Sequence, residues 1–399
     1  MSSPARLGFG ASPRSTIGLE WEIGLVESGT AGLSQAGPDV LDALARDPLA
    51  HGAGHRPGDV PSYSPHVTGE YMKNTIELVT GVCRTVAGAG ADLTRTIDHV
   101  RSVTDPLGLE LMGGGTHPFA RAADQQVGEK ELYARIRERT GVWGAQLIIW
   151  GLHVHVGIEH RDKALPLMRG MLTYLPHLQA LAAGSPYWAG EHTGYASNRS
   201  LLFQQIPSSG LPVAVETWQE LEAYAGDMVH VGAVEAFNEV HWDVRPSPAF
   251  GTLEVRVCDG PTNLTEALAL AALVHCLVEH LSTLLDQGKT LPALPPWFVQ
   301  ENKFRSARYG LDATVVLDAD GDQGPIGDAI AKLLVELEPV AQRLGCSAEL
   351  AGVRDILRRG ASYQRQQAVA AAHAGDLVPV VRAMIEEMRA GRPLPDLGS

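Results

Sequence analysis

The sequence predicts an α+β fold with a largely antiparallel sheet, on three observations. Strand-like segments recur through the first two thirds of the chain, but helices interrupt them irregularly rather than in strict alternation, unlike a doubly wound parallel sheet. Two late strand-like segments are joined by a short Pro-containing loop, the pattern of an antiparallel pair. From residue 263 onward the apolar spacing is mostly helical.

Each element has its own warrant. Residues 16–26, TIGLEWEIGLV, alternate and are rich in β-formers, so they read as a strand. Residues 39–50 spell a short amphipathic helix, and the Gly-, Pro- and Ser-rich stretch 51–69 a loop. Residues 70–80, EYMKNTIELVT, read as a second strand. Helical spacing over 84–105 tolerates Gly88 and Gly90 and ends at Pro106-Leu107-Gly108. Residues 109–116, LELMGGGT, form a third strand running into glycines, and 129–140 a charged helix. Residues 146–158, QLIIWGLHVHVGI, are the clearest strand. A helix over 161–183 leads into 184–212, which is dense in Gly, Pro, Ser and aromatics without a period; so long an irregular stretch in a compact domain is usually functional. A helix over 216–227 precedes strands at 237–245 (FNEVHWDVR) and 252–258 (TLEVRVC). Helices then dominate, with loops near 288–298 and 318–325. No repeat or long linker divides the chain. One catalytic domain over 1–399 is expected, its sheet and site in 16–310 and a helical part in 311–399.

Composition narrows the function classes. Asp plus Glu number 46 against 32 Lys plus Arg, a net charge of −14. That balance argues against a general nucleic-acid or anionic-membrane partner, which would need a basic face. The 43 glycines among 399 residues call for turns and close backbone approaches. Cys83, Cys258, Cys276 and Cys346 form no CxxC, so buried reduced thiols are expected rather than disulfides or a zinc finger. The first 16 residues lack an apolar signal region. The most apolar run, Ala267–Val278, is too short for a bilayer span. A cytoplasmic location is the expectation, and a homodimer is the prior for a soluble enzyme.

The common nucleotide motifs fail. Gly288-Lys289-Thr290 would need a glycine where Thr283 stands. Gly88-Ala89-Gly90-Ala91-Asp92-Leu93 lacks the third glycine of a dinucleotide fingerprint, and HExxH and GxSxG are absent. What remains are polar pairs at spacing two on expected strands: Glu20 with Glu22, His153 with His155, and Glu254 with Arg256. That spacing puts both members on one strand face, roughly 6–7 Å apart. Glu77 is a lone carboxylate in an apolar strand. Glu129/Glu131 and Glu220/Glu222 lie in charged helical surroundings and read as solvated faces. Glu20 and Glu22 differ, because Gly, Leu, Trp and Ile surround them. Two half-buried carboxylates so close repel by roughly 2–3 kcal/mol at an effective dielectric of 20, so something positive must compensate, either arginines or metal ions.

Carboxylates and one or two histidines gathered on a sheet would make an oxygen-rich site with a nitrogen ligand, suited to Mg²⁺ or Mn²⁺. Arg256 beside Glu254 suggests an anion next to the metal, since the guanidinium fork matches phosphate. Two further segments stand out: 185–200, SPYWAGEHTGYASNRS, around His192, Asn198 and Arg199, and 301–310, ENKFRSARYG, with Lys303, Arg305 and Arg308. Either could be a plain surface; beside an acidic cluster they read as substrate and phosphate binding. On these residues a Mg/Mn-dependent hydrolase is the alternative to a phosphoryl-transfer enzyme, and a catalytically weak metabolite-binding protein a third reading.

The strings TIGLEWEIGLV, IELVTGVCRT, GTHPFA, GLHVHVG, SPYWAGEHTGYASNRS, PSSGLP, TLEVRVCD and ENKFRSARYG, in this order, resemble the glutamate–cysteine ligase type 2 family, also called carboxylate–amine ligases. The resemblance implies a glutamine synthetase-like fold, a curved and mostly antiparallel sheet funnel backed by helices. It implies ATP with Mg²⁺ or Mn²⁺, and activation of the glutamate γ-carboxylate as an acyl phosphate that an amine or amino acid, nominally cysteine, attacks. By motif position it implies metal ligation by Glu20, Glu22, Glu77 and Glu254 with His153 or His155. Arg256 is expected at the transferred phosphoryl group and Arg199 at a carboxylate or phosphate. Lys303, Arg305, Arg308 and His117 are nucleotide candidates, and Tyr195 and Asn198 substrate candidates. In the motif WDVR, Trp242 reads as structural beside Asp243 and Arg245. Replacing Glu254 by Gln is expected to abolish turnover without lowering the melting temperature.

Overall fold

A computed structural model describes residues 7–10, 12–46 and 66–395. Seven strands form one sheet: β1 (Ile17–Glu27), β2 (His66–Gly69), β3 (Thr75–Val79), β4 (Leu109–Met112), β5 (Gly151–Gly157), β6 (Val244–Ser247) and β7 (Thr252–Asp259). Their order is β6-β7-β5-β1-β3-β2, with β4 also paired to β1, and every pairing is antiparallel. The α+β class with an antiparallel sheet is as the sequence predicts. β1 is the hub: it pairs β5 along Ile17–Trp21, β3 along Glu20–Gly24 and β4 along Gly24–Glu27.

Alternation along the strands separates two faces. Leu19, Trp21, Ile23, Ile76, Leu78, Leu152, Val154, Val156, Leu253 and Val255 are buried in one large core. Helices α1 (Gly37–Arg46), α2 (Val86–Thr104), α3 (Glu131–Thr140), α4 (Ala164–Ala182), α5 (Arg199–Phe203), α6 (Trp218–His230) and α7 (Leu264–Asp286) are interleaved with the strands. Of these, α2 packs on β1 and β3, α4 on β6 and β7, and α7 on β5. α2 starts where Thr85 accepts a hydrogen bond from Gly88 N, and α7 where Asn263 accepts one from Glu266 N. α7 is 23 residues long, longer than the apolar run suggested, and 67% of its most apolar window is buried; it is the core helix beneath the sheet. Then follow α8 (Pro296–Tyr309), α9 (Ile326–Leu344), α10 (Ser347–Arg359), α11 (Ser362–Ala372) and α12 (Val378–Ala390).

Several boundaries differ from the sequence reading. β3 starts at Thr75, not residue 70, because Met72–Asn74 turn ahead of it, and His66–Gly69 is a strand at the end of the expected loop. The rest of that loop, to residue 65, lies outside the described residues. The helical tail contains a hairpin, Thr314–Val316 with Gln323–Pro325, where helix and loop were expected. Residues 184–212 hold a two-residue hairpin and α5. The four cysteines are unbridged, and Cys276 Sγ lies 3.6 Å from Cys346 Sγ.

Candidate metal and phosphoryl-transfer site

Strand register brings the predicted pairs together on the face opposite the core. Glu22 stands opposite Glu77, Glu20 opposite His153, and His155 opposite Glu254. Between Val255 and Cys258 the β7 ladder is irregular, so Arg256 and Val257 both stand against the single His153. Such a bulge re-aims a side chain; here it sets Arg256 Nη1 3.4 Å from His153 Nδ1 and onto Glu254 Oε1. Glu20, Glu22, Glu77, His153, Arg199 and Arg256 line one cavity of about 300 Å³.

Glu70 lines it too, and sequence reasoning missed it. It precedes the turn at Met72–Asn74, seven residues before Glu77, a spacing with no strand or helix meaning. The only signal was a carboxylate at the head of the strand segment that also carries Glu77.

The charges here are unevenly compensated. Burial works against the Glu20 carboxylate, but hydrogen bonds from His153 and His155 prevail and hold it well below the usual range; His153 Nδ1 is 3.1 Å from Oε2 and His155 Nε2 3.3 Å from Oε1. Burial, then the charge of Glu22, pushes Glu70 up to about 8. Burial, then Glu70, Glu20 and Glu22, raises Glu77 well above the ordinary value. Among the described residues, no lysine or arginine lies within ion-pairing distance of Glu20, Glu22, Glu70 or Glu77. Burial and the Arg256 charge lower His153, whereas Glu254 and Glu20 overcome burial and raise His155.

Glu254 is different. Its Oε2 accepts from Arg245 Nε and Nη2 at 3.0 and 2.6 Å, and its Oε1 accepts from Arg256. Burial opposes ionisation, but Arg256 and Arg245 hold this carboxylate far below the usual range. Two guanidinium charges on one carboxylate leave local charge positive, so Glu254 is first an arginine-paired group. Arg199 is buried, and both its terminal nitrogens donate to Arg256 O at 3.3 Å. Nε of Arg199 and Nε of Arg256 are buried without hydrogen-bond partners, spare donors that suit an anion.

The residues fit divalent cations. Ligand atoms of Glu20/Glu77/His153, Glu20/His155/Glu254 and Glu22/Glu70/Glu77 each gather within 4.8 Å of one another. His153 Nε2 is buried with no hydrogen-bond partner. Carboxylate oxygens with one imidazole nitrogen form a donor set for Mg²⁺ or Mn²⁺ rather than a closed zinc site.

Other expected residues lie elsewhere. His117 is fully buried, its Nε2 2.9 Å from Ala31 O and its Nδ1 accepting from Ala120 N at 3.0 Å; burial holds it down at about 4. With both ring nitrogens bound to backbone, it cannot contact a nucleotide. Lys303 is buried and ion-paired with Asp243, so it is no free phosphate ligand. Arg305 is bound to Glu301, Thr314 O and Gln323. Arg308 stacks on Tyr195 and Tyr309, and Tyr195 is not among the residues lining the cavity. Asn198 precedes α5 and is buried, its backbone N donating to Ser185 O. His192 is exposed against Gln367. Trp242 is core.

Residues 16–383 match the family described as Glutamate-cysteine ligase family 2. Over 386 residues the chain is 49% identical to a protein of Paenarthrobacter aurescens named as a candidate glutamate–cysteine ligase 2-2, covering 97% of this chain and 99% of that one. It is 47% identical over 386 residues to a candidate glutamate–cysteine ligase 2 of Mycobacterium tuberculosis, covering 97% and 98%. Its fold is similar to that of the glutamate–cysteine ligase from Francisella tularensis, solved in complex with AMP, with a TM-score of 0.64, 15% identity, and 96% and 90% of the two chains covered. A bifunctional glutathione synthetase from Pasteurella multocida shares the fold over 94% of this chain and 51% of that one, with a TM-score of 0.60 and 14% identity. By sequence match over nearly its whole length, the chain belongs to glutamate–cysteine ligase family 2.

Proposed function

We propose that this family member is an ATP-dependent carboxylate–amine ligase that joins the γ-carboxyl of glutamate to an amine through a γ-glutamyl phosphate. One observation carries the reading: four carboxylates without arginine or lysine partners among the described residues share a single cavity with Arg199 and Arg256, whose Nε atoms are buried spare donors. That pairing of a cation-binding wall with an anion-binding wall is what a triphosphate requires. Glu20, Glu22, Glu70, Glu77 and His153 would hold divalent cations, which when bound screen the triphosphate and the charge developing on the transferred group.

A γ-carboxylate oxygen of glutamate bonds to the γ-phosphorus as the bond to the β,γ-bridging oxygen breaks and ADP leaves. The amine nitrogen then bonds to the acyl carbon, the carbon–oxygen bond to phosphate breaks, and the amine proton passes to solvent. Arg256 and Arg199 orient the anionic groups. Arg245 and Glu254 fix the Arg256 guanidinium, so that no reorganisation is needed as charge moves. A hydrolase built on the same carboxylates would need neither arginine nor amine. The test is ADP release with Mg²⁺ or Mn²⁺, glutamate and a panel of amino acids and amines. ADP formation that depends on both glutamate and an amine is expected; none with any acceptor, in folded protein, would sink the reading.

A further inference from the structure

We propose that a second cavity, adjoining the catalytic one, seats the amine acceptor and selects a primary amine whose apolar body is larger than a cysteine side chain. The proposal rests on the ligase reading above. The cavity, about 440 Å³, lies between α3, α6 and residues 206–208. Leu132, Ile136, Ile206 and His241 line both cavities. The two cavities therefore adjoin at these four side chains, past which an amine seated in the second would reach an acyl group in the first.

The chemistry of the walls selects the occupant. Pro207, Met228, Val229 and Val234 extend the apolar surface begun by Ile136 and Ile206. The charged groups are already engaged: Arg135 is ion-paired with Glu235 and Glu239, and Arg139, exposed at the rim, donates to the carbonyls of Gly232 and Ala233. In the common wall His241 is kept neutral, lowered to about 3 by burial and then by the Arg256 and Arg245 charges. No cation thus stands at that wall to receive a phosphate or a second carboxylate, while a neutral imidazole can accept a hydrogen bond from an amine. An apolar cavity of this volume is largely unfilled by cysteine, and each buried methylene favours the larger acceptor by about tenfold or more.

Hydroxylamine separates the two readings, because it traps an acyl phosphate as a hydroxamate without needing a subsite. With Mg²⁺, ATP and glutamate, kcat/KM is measured for hydroxylamine, cysteine and 2-phenylethylamine. 2-Phenylethylamine is expected to exceed cysteine by about tenfold or more. Met228→Trp, which fills the cavity, is expected to lower the ratio of 2-phenylethylamine to hydroxylamine by about tenfold or more; Val234→Phe carries the same test should the Trp variant not fold. Cysteine matching or exceeding the larger amine, an unchanged ratio in the filled variant, or a raised KM for ATP instead, would overturn the proposal. Absence of hydroxamate would remove the ligase reading itself, and this proposal with it.

Discussion

Glu22 and Glu77 stand directly opposite one another in the antiparallel β1–β3 ladder, with Glu70 close enough for ligand atoms of all three to gather within 4.8 Å. Carboxylates about 5 Å apart repel by about 3–4 kcal/mol when both are charged, at an effective dielectric of 20, and that repulsion adds to burial in raising Glu77. Glu22→Gln or Glu77→Gln should therefore leave the metal-free melting temperature equal or higher. The same variants should reduce ADP release by about 100-fold or more, and Mn²⁺, expected to raise the melting temperature of the native protein, should no longer raise theirs. Calorimetry with and without Mn²⁺ checks this; a rise that persists would remove these residues from the cation site.

Glu254→Gln should behave in the opposite way. The sequence suggested that neutralising this group relieves repulsion, but the buried Glu254 lies between a buried Arg245 and a largely buried Arg256. Removing its charge strands two guanidinium ions, at a cost of about 3–5 kcal/mol. Urea unfolding should show that loss alongside lost turnover. A stability change below about 1 kcal/mol would mean that the arginines are compensated by other groups.

The acidic cluster predicts a pH dependence of the metal-free protein. Glu70 is raised to about 8 by burial and Glu22, and Glu77 is raised by burial and its carboxylate neighbours. A raised carboxyl contributes stability that is complete below its unfolded value and is lost as pH climbs through the folded one. Between about pH 7 and 8 the lowered histidines contribute little, while the raised His155 changes stability in the same direction as the carboxyls, so the Glu70 contribution is read as the difference between the native protein and Glu70→Gln. Melting temperature should fall across that window, and fall less in Glu70→Gln. Equal slopes in the two proteins would refute the assignment.

Gly151 controls Arg199. A Cβ at this position would overlap the guanidinium, lying 2.8 Å from Cζ and 3.2 Å from Nε, while Gly151 N donates to Glu22. Gly151→Ala should displace Arg199 and lower kcat/KM by about 10–100-fold, since displacement by about 1 Å suffices for losses of that size. Steady-state kinetics on a variant of native circular dichroism decides it; full activity would place Arg199 outside the reaction.

The strand-borne part of the candidate site was legible because spacing two is also the rule that sends side chains to one face. Glu20, Glu22, His153, His155 and Glu254 converge for that reason, and the irregularity after Val255 adds Arg256. Contacts set by cross-strand register were not legible. Arg245 reaches Glu254 because the two are opposed in the β6–β7 ladder, and spacing along one strand is silent about that. Glu70 enters through an irregular turn. The basic segment 301–310 misled because a count of positive residues does not show that Glu301 and Asp243 already hold two of them.

The central position of β1 has a consequence for synthesis. It ends at residue 27, yet its partner β5 lies at 151–157 and the arginine-bearing β7 at 252–259. Pairings this distant in sequence close large loops and form slowly. On the ribosome, Glu20 must wait for His153 and His155 of β5, and the acidic wall for Arg256 of β7, to be translated. A truncated chain ending before β7 would present the acidic wall without Arg256, and without the Glu254 carboxylate that holds it.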